Sequence, residues 1–179
     1  MHYPTYEEWF AGLDEAKQQQ ALALVAKLKA HGAKDAEQWA RSEVEEDFAQ
    51  LATYLIIHRI WLCEIERWSE DPEQWMNEFA SYQSRHPLPV FADAAEAVKR
   101  LREAGVSAKD LGAVARLVAF SAAFGVVNLI DEGGIRDAGE DLPGWQLSET
   151  DADGNLTGRG INGIHESLLS IHEDSLKQE

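Results

Sequence analysis

Hydrophobic residues recur along most of the chain at spacings of three and four, which is typical of helices with one buried face. The clearest stripe runs from Val44 to Ile65 in alternating steps of four and three. A second apolar run, over about 108–131, is richer in alanine and glycine, which let neighbouring helices approach closely. We therefore predict a mainly α protein: an antiparallel helical bundle around two central apolar helices, at about 44–68 and 108–131.

Residues that favour helix starts punctuate this pattern. Thr5 and Glu8 form a capping box, and Asp71 precedes a proline at the first helical position, where no backbone N–H is needed. A similar pattern at Ser42 suggests that the helix beginning near residue 36 bends or restarts there. Further N-cap candidates precede three other helical runs: Asp14, Asp35 and Ser107.

The pattern changes after Gly133, where glycine and aspartate become frequent and the helical period is lost. Residues 145–149 alternate, residues 151–155 favour a turn, and Leu156 and Thr157 suit a returning strand, which together predict a small β-hairpin. Asn162 is placed to cap a short C-terminal helix over 164–176. We expect one domain over 1–179, with the bundle at 1–132 and an irregular acidic segment at 133–163.

Composition limits the classes of function. There are 32 acidic residues against 16 Lys and Arg, a formal charge of -16, which argues against nucleic-acid binding. The longest apolar stretch, Leu117–Val127, is shorter than the ~20 residues of a membrane span, and the N-terminus has no signal-peptide pattern. The single cysteine cannot form an intramolecular disulfide. We expect a cytoplasmic protein that does not act at membranes.

The glycine-rich motif at 158–163 matches a dinucleotide-binding pattern, but too few residues follow it for the strand–helix–strand unit that this pattern needs. A weaker alternative is a turn before a helix at Gly158, Arg159 and Gly160 that binds a small anion. Residues 151–155 resemble the start of a calcium loop, but its sixth and twelfth positions hold Leu156 and Asn162 in place of the required glycine and glutamate.

Clustered carboxylates suggest an enzymatic alternative. Glu43, Glu46 and Asp47 share one helical face at spacings of three and four, and Asp131 ends the second long helix. Carboxylates on neighbouring helices can hold Mg²⁺ against a phosphate, as in all-helical nucleotide phosphohydrolases. The usual second acidic motif is missing, and a negative charge at a helix C-terminus opposes the helix dipole.

The leading hypothesis is non-enzymatic and needs no cofactor. Between residues 131 and 153 there are eight acidic residues and one base, with an aromatic residue interleaved. Such a segment suits docking of a basic protein, because charge steers the approach and an aromatic side chain anchors the contact. Small acidic immunity or inhibitor proteins bind basic toxins and nucleases in this way. The predicted contact residues are Asp131, Glu132, Asp137, Glu140, Asp141 and Trp145.

Overall fold

A computed structural model describes residues 4–86, 88–134 and 143–176. The mainly helical architecture predicted from the sequence is confirmed, together with the two-stranded antiparallel sheet and the short C-terminal helix. The elements are α1 Tyr6–Ala11, α2 Glu15–Ala30, α3 Ala36–Glu46, α4 Gln50–Ile60, a π-helix Trp61–Glu66, α5 Arg67–Glu70, α6 Pro72–Arg85, α7 Pro89–Glu103, α8 Ala108–Glu132, β1 Leu147–Thr150, β2 Leu156–Ile161 and α9 Ile164–Leu176.

The chain divides into two compact units. The terminal unit comprises Met1–His58 and Gly125–Glu179, and the inserted unit comprises Arg59–Phe124. The prediction of a single domain stays a prediction.

Local capping chemistry accounts for four of the helix starts in the described part of the chain. The Thr5 side chain accepts from the backbone N–H of Glu8, whose carboxylate accepts from the N–H of Thr5, so the predicted capping box is present. Asp14 and Asp71 likewise accept first-turn amides of α2 and α6, and Ser107 accepts one in α8. Asp35 precedes α3 as predicted but makes no capping hydrogen bond.

The core of the terminal unit lies between α2, α3 and α4. Leu28 is fully buried beside Leu24 and Tyr54. The Tyr54 hydroxyl donates to the His31 carbonyl across 3.1 Å, so burial of the ring leaves no polar atom unsatisfied there. Small alanines of the α2–α3 connection and of α3 complete this packing because they let the helices approach closely: Ala33, Ala36 and Ala40.

The predicted long helix over 44–68 is interrupted twice. Asp47 adopts a left-handed conformation with φ 56°, so α3 ends there and α4 starts at Gln50. The break expected near Ser42 therefore lies five residues further along the chain, at Asp47, since aspartate tolerates the left-handed region better than most residues. Beyond Ile60 the helix widens into a π-helix before α5.

The hairpin forms as predicted, with Leu147 paired to Ile161 and Thr150 to Leu156. Its turn is organised by Asp151, whose Oδ1 accepts from the backbone N–H groups of Asp153 and Asn155. Hydrogen bonds from the Asn155 side chain and backbone lower the pKa of Asp151 below its ordinary value. The carboxylate thus serves the turn, in line with a solvated hairpin.

The inserted unit packs α8 closely against the corner between α5 and α6. A Cβ on Gly112 would lie 2.6 Å from Pro72 Cγ and 2.8 Å from the Trp68 carbonyl oxygen, which explains why glycine occupies this position. The Arg116 guanidinium pairs with Glu66 at 2.7 Å on the same side of α8. Gly112 thus allows α8 to approach closely, and the Arg116–Glu66 ion pair fixes the position of α8 along its neighbours.

The apolar residues of α8 are buried less than the hydropathy pattern suggests. Several large side chains are between 53% and 64% exposed: Val114, Leu117, Val118, Val126 and Leu129. By length and composition α8 is the one helix among the described residues that could cross a membrane, and 6% of its apolar window is buried. Hydropathy reports the composition of a helix but does not specify how many neighbours cover it.

Candidate functional site

Arg159 lies at the centre of a charged cluster in the terminal unit. Its Nε and Nη2 donate to the two carboxylate oxygens of Glu149 at 2.9 and 2.7 Å, a bidentate pair between β2 and β1. Its Nη1 donates to Glu43 Oε1 at 2.8 Å, which ties the hairpin to α3. Burial would lower the Arg159 pKa, but the hydrogen bonds that Arg159 donates to Glu149 and Glu43, together with their negative charges, outweigh it and raise that pKa.

Glu43 is the most deeply buried member of the cluster, with 3% of its side chain exposed. Its Oε1 accepts from Arg159, and its Oε2 accepts from the backbone N–H of Leu51 at 2.7 Å, in the first turn of α4. A helix N-terminus carries unsatisfied amides and a partial positive charge. Glu43 therefore caps α4 from the preceding helix while it neutralises Arg159.

A cavity of about 450 Å³ adjoins this cluster. Leu24, Leu51 and Leu55 supply its apolar side, and the Glu43–Arg159–Glu149 cluster supplies its polar side. Lys27 and Asp151 also reach the wall. Its size is within the range of small-molecule sites, but Glu43, Arg159 and Glu149 already satisfy one another, so we assign it no ligand.

A second buried carboxylate, Asp131, joins the end of α8 to the start of α9. Its Oδ2 accepts from the backbone N–H of His165 at 2.8 Å and lies 2.7 Å from His165 Nδ1, and 6% of its side chain is exposed. The negative charge of Asp131 is unfavourable at the C-terminus of α8 but interacts favourably with the N-terminus of α9. Asn162 was expected to fill this capping role, and Asp131 fills it from 34 residues away.

We expect Asp131→Asn to destabilise the terminal unit by about 1–2 kcal/mol, because the α9 N-terminus loses a charged acceptor. Denaturant unfolding followed by circular dichroism gives the stability. Amide exchange should show faster opening of the first turn of α9. Glu132→Gln is the matched control, since Glu132 is exposed and its one hydrogen bond within the described part of the chain, accepted from Asn128, can be retained by glutamine. Equal losses in both variants would contradict the capping role.

The predicted partner-binding residues fall into two groups. Asp131 and Glu132 close α8, while the Trp145 side chain is 40% exposed and donates from Nε1 to the Leu129 carbonyl at 3.1 Å. That hydrogen bond holds the indole beside the last turn of α8. The remaining three lie outside the described residues: Asp137, Glu140 and Asp141.

The carboxylates of the metal alternative are not brought together. Glu43 is bound by Arg159, Glu46 accepts from the Ser42 hydroxyl, and Asp131 contacts His165. Asp47 leaves the common helical face because its left-handed conformation ends α3. Within 4–86, 88–134 and 143–176, no group of three or more potential metal ligands forms. The geometry gives the magnesium hydrolase alternative no support.

The glycine-rich turn is also placed differently from the prediction. Gly158, Arg159 and Gly160 lie inside strand β2 and not in a turn before a helix, because residues 156–161 pair with β1. The guanidinium that was expected to assist anion binding instead faces two carboxylates. An anion approaching Arg159 would meet the negative charges of Glu43 and Glu149.

Sequence reasoning missed Glu149 and His165 as partners of the predicted site residues. Arg159 is separated from Glu43 by 116 positions, and no local pattern links residues so far apart. One signal was present: Asp131 stands at a helix end where its charge is unfavourable, which indicates a partner elsewhere in the fold. No family model, curated protein or solved structure matches this chain, so its function is argued from its own residues.

Proposed function

We propose that this chain is a non-enzymatic acidic protein that binds a basic protein partner through its terminal unit. The supporting observation is the distribution of charge. Of the 32 acidic and 16 basic residues, 22 acidic and 8 basic residues lie in the terminal unit, a net charge of -14. The inserted unit carries a net charge of -2. The negative potential that would steer a cationic protein is therefore concentrated in one unit.

Two further features support a binding face near the end of α8. Three acidic residues follow this helix closely in sequence, at positions 137, 140 and 141. The indole of Trp145 is held by a backbone carbonyl while 40% of the residue stays exposed. A fixed, half-exposed tryptophan loses little side-chain freedom when it becomes buried, which is why tryptophan is frequent among interface residues that dominate affinity. The lone cysteine is consistent with a cytoplasmic protein.

The charge part of the proposal is tested with the triple variant Asp137→Asn, Glu140→Gln and Asp141→Asn. A partner is captured from extract of the source cells, purified, and its affinity for the wild type and variant is measured at low and high salt. We expect the variant to bind at least about tenfold more weakly at low salt, chiefly through slower association. The difference should shrink as salt screens the charges.

The matched control also removes three negative charges, but from exposed positions of α7 in the inserted unit: Asp93→Asn, Glu96→Gln and Glu103→Gln. We expect less than about a twofold change for this variant. Equal weakening by both variants would mean that net charge alone is responsible. A partner whose binding ignores both salt and the acidic segment would contradict the proposal.

The aromatic part is tested by Trp145→Ala, for which we expect a further loss of about tenfold or more, mainly through faster dissociation. Trp145→Phe retains an aromatic ring but loses the hydrogen bond to the Leu129 carbonyl. Its affinity therefore separates the contribution of the ring's contact area from that of its positioning. Unchanged affinity in the alanine variant would remove Trp145 from the interface.

A further inference from the structure

The inserted unit contains an open cleft of about 830 Å³ between α5–α6 and α7. Its wall carries four aromatic side chains and two arginines: Trp68, Trp75, Phe79, Tyr82, Arg67 and Arg85. This volume lies within the range typical of small-molecule sites, which are mostly apolar with a few polar groups that orient the ligand. The cleft lies wholly within one unit and is independent of the function proposed above.

Hydrogen bonds to the backbone hold the two tryptophans in place. The Trp68 Nε1 donates to the Glu64 carbonyl at 2.8 Å, and the Trp75 Nε1 donates to the Trp68 carbonyl at 3.0 Å. Their ring centroids are 5.3 Å apart with planes at 77°, so the rings form a corner. Because both indole N–H groups are already used, the rings offer the cleft apolar and π surface.

The two arginines of the cleft differ from Arg102 and Arg116 of the same unit. Arg102 and Arg116 each pair with a carboxylate at 2.7 Å. Among the described residues, Arg67 and Arg85 have no carboxylate within 4 Å. The Arg67 guanidinium lies 5.2 Å over the Trp68 ring, and Arg85 Nε donates to the Ser81 carbonyl at 3.3 Å.

Of the described residues that line the cleft, Glu78 alone is acidic, and its Oε1 accepts from Gln74 Nε2 at 2.8 Å. The wall therefore carries two guanidinium groups against one carboxylate, in a chain with a net charge of -16. Such a local reversal of sign would attract an anion that the rest of the surface repels. A guanidinium stacked on an aromatic ring can still donate from its edge.

We propose that this cleft binds a small planar aromatic anion. The aromatic corner stacks on the ring of the ligand, and Arg67 and Arg85 donate to its carboxylate or phosphate. Guanidinium groups match the geometry of both anions and form hydrogen bonds stronger than those between neutral groups. Both parts of the ligand are required, since the rings give contact area and the arginines select the charge.

The ligand class is tested by titration calorimetry of the full chain with three probes. These are 2-naphthoate, the neutral 2-naphthalenemethanol, and cyclohexanecarboxylate, which keeps the charge but lacks the aromatic ring. We expect submillimolar binding of naphthoate. Binding of each of the other probes should be at least about tenfold weaker. No binding of naphthoate, or equal binding of the neutral alcohol, would overturn the proposal.

The location is tested with Arg67→Gln combined with Arg85→Gln. We expect at least about a tenfold loss of naphthoate affinity with little change in melting temperature, because both side chains are exposed. Arg59→Gln combined with Arg100→Gln is the matched control, since these exposed arginines of the same unit do not line the cleft. Unchanged affinity in the first variant, or an equal loss in the control, would overturn this assignment.

Discussion

Replacing Glu43 by alanine is expected to destabilise the terminal unit by about 3–5 kcal/mol, the range for removing one partner of a buried ion pair. The variant leaves Arg159 Nη1 and the backbone N–H of Leu51 without their acceptor at a position where the native side chain is 3% exposed. Native domains are stable by only about 5–15 kcal/mol, so this loss would be a large share of the total.

Urea unfolding followed by circular dichroism measures the Glu43 effect. Glu45→Ala is the control, because Glu45 is on the same helix but pairs with Arg41 at the surface. That variant should lose less than about 0.5 kcal/mol. Glu43→Gln should fall between the two, since the amide keeps an acceptor but not the charge. A loss below about 1 kcal/mol in the alanine variant would contradict the role assigned to Glu43.

Gly112→Ala is expected to destabilise the inserted unit by about 1–3 kcal/mol, although alanine is the better helix former. The added Cβ would lie 2.6 Å from Pro72 Cγ and 2.8 Å from the Trp68 carbonyl oxygen. Neither neighbour can move freely, because proline is rigid and the carbonyl also accepts from the Trp75 indole. Thermal or denaturant unfolding measures the loss.

Gly125→Ala in the same helix is the matched control for Gly112. A Cβ at position 125 would meet nothing within 4 Å, so the substitution should stabilise the chain by about 0.5–1 kcal/mol through backbone entropy and helix propensity. Opposite signs in the two variants would locate the close approach of α8. Stabilisation by both would show that the contact with Trp68 and Pro72 is looser than the structure indicates.

The features predicted correctly from the sequence depend on short-range chemistry. Thr5, Asp14 and Asp71 cap the helices that follow them, because the amides they bind lie three residues away. The hairpin was predictable for the same reason, since Asp151 and Asn155 organise its turn within five residues. Such interactions leave a pattern in a short window of sequence.

The features that sequence reasoning missed depend on groups that meet across the fold. Glu43 and Asp131 were grouped from the sequence as carboxylates of the alternative magnesium site, whereas each is a largely buried cap of another helix. The break expected near Ser42 was misplaced and lies at Asp47, because a stripe of hydrophobic residues continues across that position. The hydrophobic pattern indicates which residues favour burial, but it does not show whether they lie on one continuous helix or on two.

The separation between Glu43 and Arg159 has a consequence for biosynthesis. At the usual 5–20 residues per second, the 116 positions between them take roughly 6–23 s to translate. Throughout that interval the nascent N-terminal helices lack the hairpin strand that brings Arg159, so Glu43 has to remain hydrated and α3 and α4 cannot reach their final arrangement. The whole inserted unit leaves the ribosome during this wait. The terminal unit can therefore be completed only after residue 159 has been made, and a chain truncated before residue 159 should remain a target for chaperones and proteases.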